Sequence, residues 1–282
     1  MNYRHAFHAG SFADVVKHAV LARVVMHLRE KPSAFRVLDT HAGAGLTRLA
    51  GREASRTGEW RRGIGRLLAA DLDPAVRALL APYLEAIGRY ELDGSLAAYP
   101  GSPLLALAWM RPQDRLIACE LVPAAVRALQ RALGKEPRAK VIPIDGWRAL
   151  GAYLPPKERR GVVLIDPPFE APGEFDRLVE QLARAHRKWA TGIYLLWYPI
   201  KDLAAVDRFG RQVAELGVPK ILRAEVRIAA RPDKSLIGSG LLLVNPPWRL
   251  EAELKKLLPA LAEVLGRDQR GGVRLDWLAA EK

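Results

Sequence analysis

The stretch Phe35-Arg36-Val37-Leu38-Asp39-Thr40-His41-Ala42-Gly43-Ala44-Gly45 decides the fold. A short apolar run ends in an acid and passes straight into a glycine-rich turn. A strand of a parallel sheet uses this pattern to let backbone approach a ligand at its carboxyl end. Six further apolar runs follow: Arg115 to Cys119, Lys140 to Ile144, Gly161 to Ile165, Gly192 to Trp197, Ile221 to Ile228 and Gly240 to Val244. They alternate with helical patterns, as in an α/β protein built on a parallel sheet. The expectation is one Rossmann-like, seven-stranded, doubly wound domain over residues 1–282.

Two segments depart from simple alternation. Residues from about 50 to 110 separate the glycine loop from the second strand. They include Asp73 to Arg89, where Val76, Leu79, Leu80, Tyr83, Leu84 and Ile87 recur at helical spacing, which predicts a small inserted helical subdomain. Before the first strand, Ser11-Phe12-Ala13-Asp14 reads as a helix cap, followed by the apolar stripe Val15, Val16, Ala19, Val20 and Val24.

Composition narrows the class. Lys and Arg total 44 against 31 Asp and Glu, a net charge of +13, and half of the 282 residues are hydrophobic. No apolar run approaches the roughly 18 residues of a membrane span. Met1 to Gly10 lacks a signal core, and the lone Cys119 excludes an intrachain disulfide, so a reducing cytoplasm is expected. The excess of cations points to a nucleic acid, although GC-rich coding also yields a chain with 32 Arg and 12 Lys.

The glycine loop does not fit a dinucleotide fingerprint, because Arg48 stands where a third glycine should pack a helix on the strand. S-adenosylmethionine, which has no pyrophosphate, fits better. Glu120 follows the second strand, where an acid would hold ribose hydroxyls, and Asp145-Gly146 follows the third, beside the adenine position. Asp39, Glu120, Asp145 and Asp166 thus each end a predicted strand. Gly43 supplies the close backbone approach of the loop.

Asp166-Pro167-Pro168-Phe169 is the sharpest chemical feature. An exocyclic base amine is a poor nucleophile because its lone pair is delocalised into the ring. Hydrogen bonds from its two N–H groups to the Asp166 carboxylate and the Pro167 carbonyl would free that pair, while Phe169 offers a stacking face for an extruded base. Asn245-Pro246-Pro247-Trp248 repeats the pattern, but the methyltransferase variant of this sheet runs its last strand antiparallel, which puts Asn245 at the wrong edge. Cys119, in a strand interior, reads as a core residue, which disfavours methylation of a pyrimidine carbon through a cysteine adduct.

These residues resemble a family. Tyr3-Arg4-His5-Ala6-Phe7-His8-Ala9-Gly10, Ala13-Asp14-Val15-Val16-Lys17-His18, the Leu38-to-Gly45 loop, Tyr99-Pro100-Gly101-Ser102-Pro103, Asp166-Pro167-Pro168-Phe169, Trp197-Tyr198-Pro199 and Asn245-Pro246-Pro247-Trp248 run in order through nearly the whole chain. The chain is similar to bacterial 23S ribosomal RNA adenine-N6 methyltransferases of the RlmJ type. The resemblance implies a class I S-adenosylmethionine-dependent methyltransferase, monomeric, acting on N6 of one adenine in early, protein-poor 23S rRNA. It implies cofactor contacts at His18, His41, Ser102, Glu120, Asp145, Gly146 and Asp166, with Asp166 catalytic, and target binding by Tyr3, His5 and Lys17. The family more often has Tyr at the position of Phe169.

Read from the residues alone, Ser102 could be only a helix N-cap, and His18 only a surface partner of Asp14. His5, His8 and His18 lack the thiolate or carboxylate that would complete a metal site, so no metal is expected. RNA contacts are expected from Arg231 and Lys234 and from the insertion cations Arg52, Arg56, Arg61, Arg62 and Arg66. Amine methylation of DNA or of a protein amide shares the Pro-Pro turn, the latter usually with Asn in place of Asp. A non-catalytic RNA-binding protein with a relic cofactor fold would explain the charge alone.

Overall fold

The structure is a computed structural model, and its described residues are 8–229, 236–267 and 271–280. Tyr3, His5, Arg231 and Lys234 lie outside them, as does the side chain of Arg52.

Among the described residues, eight strands form the central sheet: β1 (Arg36–Asp39), β2 (Arg115–Glu120), β3 (Ala139–Pro143), β4 (Gly161–Ile165), β5 (Ile193–Ile200), β6 (Ile221–Arg227), β7 (Gly238–Val244) and β8 (Gly272–Ala279). Their order across the sheet is β8-β6-β7-β5-β4-β1-β2-β3. Strands β1 to β5 pair in parallel, whereas β7 runs antiparallel to both β5 and β6. Strand order reverses at β1, so the crevice of this doubly wound sheet lies at the carboxyl ends of β1 and its neighbours.

Both sheet faces are covered, which explains the uninterrupted apolar runs. Val37, Leu116, Ala118, Val162 and Leu164 point to one core layer, while Leu38, Ile117, Cys119, Val163 and Ile165 point to the other. The first layer is closed by α1 (Phe12–Arg29), α2 (Pro74–Gly88), α3 (Ser102–Trp109) and, near the C-terminus, Leu250–Leu265. The second is closed by Gly146–Tyr153, Glu174–Lys188 and Leu203–Ala214.

The sheet has one strand more than the seven expected. Strand β8 pairs antiparallel with β6 and is tied to it by Arg223, whose guanidinium reaches both oxygens of Asp276 at 2.9 and 2.5 Å. Residues 50–110 contain α2, capped by the Asp73 side chain, and three short helices, Arg52–Thr57, Glu59–Arg62 and Ile64–Ala69. Two small ribbons also occur: Leu46–Arg48 pairs with Ala98–Pro100, and Glu91–Leu92 pairs with Ser95–Leu96.

Candidate functional site

Strand register puts the four acids together. Asp39 ends β1, Glu120 ends β2, Asp145 follows β3 by two residues, and Asp166 follows β4, all at the carboxyl edge. Because β7 is antiparallel, Val244 pairs with Tyr194 and Ile221 near the starts of β5 and β6. Asn245 therefore lies at the opposite edge, where its amide donates to the carbonyls of Ala190 and Gly192, both at 2.8 Å. It is a turn residue.

The glycine loop is held from β2. Glu120 accepts from the Gly43 N–H at 2.9 Å through one carboxylate oxygen, and from the N–H groups of Leu121 and Val122 through the other. Gly43 and Gly45 have φ of +62° and +80°, which explains why glycine stands there. The loop leads into the ribbon strand Leu46–Arg48 rather than into a helix. The loop therefore presents no helix N-terminus of its own to a pyrophosphate, and the acids at this edge would repel one. A cationic sulfonium nucleoside suits the same groups: carboxylates that accept from its ammonium and diol, and a loop that approaches closely.

Asp39 is buried, with 1% of its surface exposed, and accepts from the Ser102 hydroxyl at 2.6 Å and the His41 N–H at 3.3 Å. Burial pushes its carboxyl up to about 7; the Ser102 hydrogen bond opposes that rise and the nearby Asp166 adds to it. Ser102 is the first residue of its helix, with Gly101 at the cap, so its hydroxyl serves Asp39 rather than capping.

Half-buried His41 packs edge-on to Trp147 with ring centroids 5.2 Å apart. Thr40 Oγ1 donates to the Leu164 carbonyl and lies 2.8 Å from His41 Nδ1, so Nδ1 carries the hydrogen and Nε2 the lone pair. Burial pushes the imidazole down to about 4, leaving it neutral at physiological pH. Gly146 begins its helix against this ring, and a Cβ there would lie 2.7 Å from His41 Cε1. Asp145 caps the same helix, accepting from the Arg148 N–H at 3.0 Å.

Helix α1 supplies the other half of the site, and it is buried almost all round. Lys17, only 3% exposed, donates to Asp14 Oδ1 at 2.8 Å and to Asp166 Oδ2 at 2.5 Å. Burial opposes its charge, but the two carboxylates outweigh burial and hold the ammonium above the usual lysine range. Asp14 Oδ2 also accepts from the Gly10 N–H at 3.0 Å, reaching back past the cap. His18 is buried and hydrogen-bonds Tyr99 through Nδ1 at 2.7 Å, and the Tyr99 hydroxyl meets that of Tyr83 at 2.8 Å. It is not a surface partner of Asp14.

Sequence reasoning missed the buried Asp14, Thr40, Trp147 and the Tyr83–Tyr99 pair. Asp14 and Lys17 did carry a signal: opposite charges three residues apart on a helix otherwise so apolar must find each other.

Asp166 Oδ1 accepts from no protein group among the described residues, and no backbone N–H there bonds the Pro167 carbonyl. Both acceptors remain available beside Phe169. That residue has φ of +51°, a conformation costing roughly 1–3 kcal/mol for a bulky side chain and concentrated at functional sites. Its ring is braced edge-on by Phe175 at 5.1 Å and Trp197 at 5.7 Å. Cys119 is fully buried and its thiol is pushed up to about 12, so it is no nucleophile.

Among the insertion cations, Arg66 donates to the Gly266 carbonyl at 2.7 Å and Arg61 lies over the Trp60 ring. The turn at Gly63-Ile64 packs directly on Gly10, just before the helix that carries Lys17.

The family described as RsmJ: Ribosomal RNA large subunit methyltransferase D, RlmJ, matches residues 32–279. Two proteins named Ribosomal RNA large subunit methyltransferase J, from Escherichia coli and Haemophilus influenzae, are 39% and 37% identical, each aligned over 100% of both chains. A crystal structure of a Legionella pneumophila protein superposes with a TM-score of 0.87 at 32% identity, covering 95% of this chain and 98% of that one.

Proposed function

Because the chain belongs to the RlmJ family of ribosomal RNA large subunit methyltransferases, we propose that it transfers a methyl group from S-adenosylmethionine to the N6 amino group of one adenine in 23S rRNA. The observation that carries this reading is the pair of acceptors that no described residue occupies, Asp166 Oδ1 and the Pro167 carbonyl, beside the ring of Phe169, whose backbone has positive φ. An amine with two N–H groups fits two acceptors. Methylation of a pyrimidine carbon through a covalent adduct would instead need a reactive cysteine, and Cys119 is not one.

The bound cofactor supplies an electrophilic methyl carbon on its sulfonium. His41, Gly43, Ser102 through Asp39, Glu120, Asp145 and Gly146 shape the edge that would hold it, with His18 bracing the helix behind. Phe169 receives the extruded base. Asp166 and the Pro167 carbonyl take the two N–H groups and restore lone-pair density to N6. Lys17 fixes Asp166 by its other oxygen, so the free oxygen keeps one orientation. Forming the new N–C bond would break the S–C bond and release the sulfur as a neutral thioether, and the nitrogen, made acidic, loses its proton to Asp166 or water. Positioning supplies most of the rate, and no strong base is required.

The RNA contacts extend to Tyr3, His5, Arg231, Lys234 and the insertion. The protein works as a monomer in the cytoplasm, with its ribosomal substrate. No helix among the described residues is long and apolar enough to cross a membrane.

Asp166→Ala tests the assignment. The variant should bind S-adenosylmethionine yet transfer no methyl group to 23S rRNA. Full activity would end the role given to Asp166.

A further inference from the structure

Helix Glu174–Lys188 turns Leu178, Leu182 and Ala185 into the core. Beside that apolar face it presents Arg177, Gln181, Arg184 and Lys188, which recur at helical spacing along a second stripe. With Arg187 and with Arg148 from helix Gly146–Tyr153 they line an open cleft of about 570 Å³ whose rim includes Asp145. Five cations thus line the cleft with Asp145, while Glu174 and Glu180 flank Arg177 and Arg184 at 3.9 and 2.6 Å.

These cations are not all spent on the fold. Arg184 pairs with Glu180 at 2.6 Å, and Lys188 donates to the Gly151 carbonyl at 2.6 Å. Among the described residues the guanidiniums of Arg148 and Arg187 have neither hydrogen bond nor ion pair, and both side chains are exposed. Arg177 lies 5.0 Å over the face of Trp147, whose ring packs at 71° to that of His41. The cleft is therefore joined to the carboxyl edge by one aromatic ring. From Arg177 to Lys188 the stripe runs for roughly 16 Å along the helix axis, which suits a polymer of phosphates better than a single anion.

Resting on the reading above, we propose that this cleft is a track for the phosphodiester backbone of the RNA that flanks the target base. The fork of a guanidinium matches phosphate oxygens, and counterion release makes such contacts salt-dependent and indifferent to sequence.

The test compares the unaltered protein with Arg148→Gln/Arg187→Gln, using a labelled 23S rRNA fragment at several salt concentrations. Losing two phosphate contacts should reduce the slope of log affinity against log salt by about 1.4–1.8. If the two lines converge toward 1 M salt, binding at about 0.1 M should weaken ~25- to 60-fold. KM for RNA should rise with kcat and S-adenosylmethionine affinity unchanged. Arg148→Lys/Arg187→Lys should keep the slope, because charge sets it. Unchanged affinity and slope in the Gln variant, while the unaltered protein methylates the RNA, would overturn the track and leave the proposed function standing. If the unaltered protein methylates no ribosomal RNA, the proposed function fails, and the affinity comparison still decides the cleft.

Discussion

Replacing Lys17 by Met would leave two carboxylates facing one another without their shared cation. Lys17 Nζ lies 2.8 Å from Asp14 and 2.5 Å from Asp166, so the nearest oxygens of the two acids are held within roughly 5 Å. At that separation, and at an effective dielectric of about 20, like charges repel by roughly 3 kcal/mol. Such a repulsion is relieved when one of the two acids takes up a proton. Loss of the cation and gain of a bare like charge both favour the protonated acid, so the shift is upward. A protonated Asp166 holds an N–H of the target less well. The acidic limb of kcat/KM in Lys17→Met should therefore lie at higher pH than in the unaltered protein, with activity falling as pH falls through it. The assay is the initial rate of methyl transfer to 23S rRNA between about pH 5 and 9. Adding Asp14→Asn removes the second charge and should move the limb part of the way back. Breaking a buried pair also costs about 3–5 kcal/mol of stability, and thermal unfolding should show this loss shrinking at low pH, where a proton relieves the repulsion. A pH profile in Lys17→Met superimposable on that of the unaltered protein, or no recovery in the double variant, would refute the reasoning.

Other consequences follow from the same geometry. Asp39, raised to about 7, binds a proton below that value, and a cationic cofactor favours the ionised form. S-adenosylmethionine affinity should thus fall about tenfold per unit as pH drops below 7, while Asp39→Asn should bind weakly with no such slope; calorimetry reads both. His41, held near 4, should add no second titration above about pH 5. Gly146→Ala would drive its methyl into the Thr40 carbonyl and the His41 ring, costing about 1–3 kcal/mol and displacing His41. Weakened cofactor binding and a lowered Tm should be seen together. Phe169→Leu should cost about 1–3 kcal/mol of base stacking, read as a loss in kcat/KM for RNA with cofactor affinity unchanged. Phe169→Tyr should keep near-normal rates.

Strands β1 to β7 were legible because a sheet covered on both faces is written as largely apolar runs. Strand β8 was written differently. As an edge strand it alternates Val273, Leu275 and Trp277 with Arg274 and Asp276, a period-2 signal easily taken for a charged tail. The ribbon from Leu46 to Arg48 is three residues long and defined by its distant partner, so no local pattern announces it. In the site, the strand-end acids and the Pro-Pro turn were visible because each is a local motif. The Asp14–Lys17–Asp166 chain was not, since it joins positions 149 residues apart. His18 misled for a related reason. A polar residue on a helix reads as solvent-facing, yet α1 is wrapped by neighbours and satisfies His18 through Tyr99, from a different element.

Transfer of tritiated methyl from S-adenosylmethionine tests the central claim most directly. The purified protein would be offered naked 23S rRNA, assembled large subunits, duplex DNA and protein in parallel, and labelled RNA digested to nucleosides. The account predicts label in 23S rRNA alone among the naked polymers, recovered as N6-methyladenosine from a single site and absent with Asp166→Ala. Label in a methylated pyrimidine, in DNA or in protein, or none in any RNA, would contradict it.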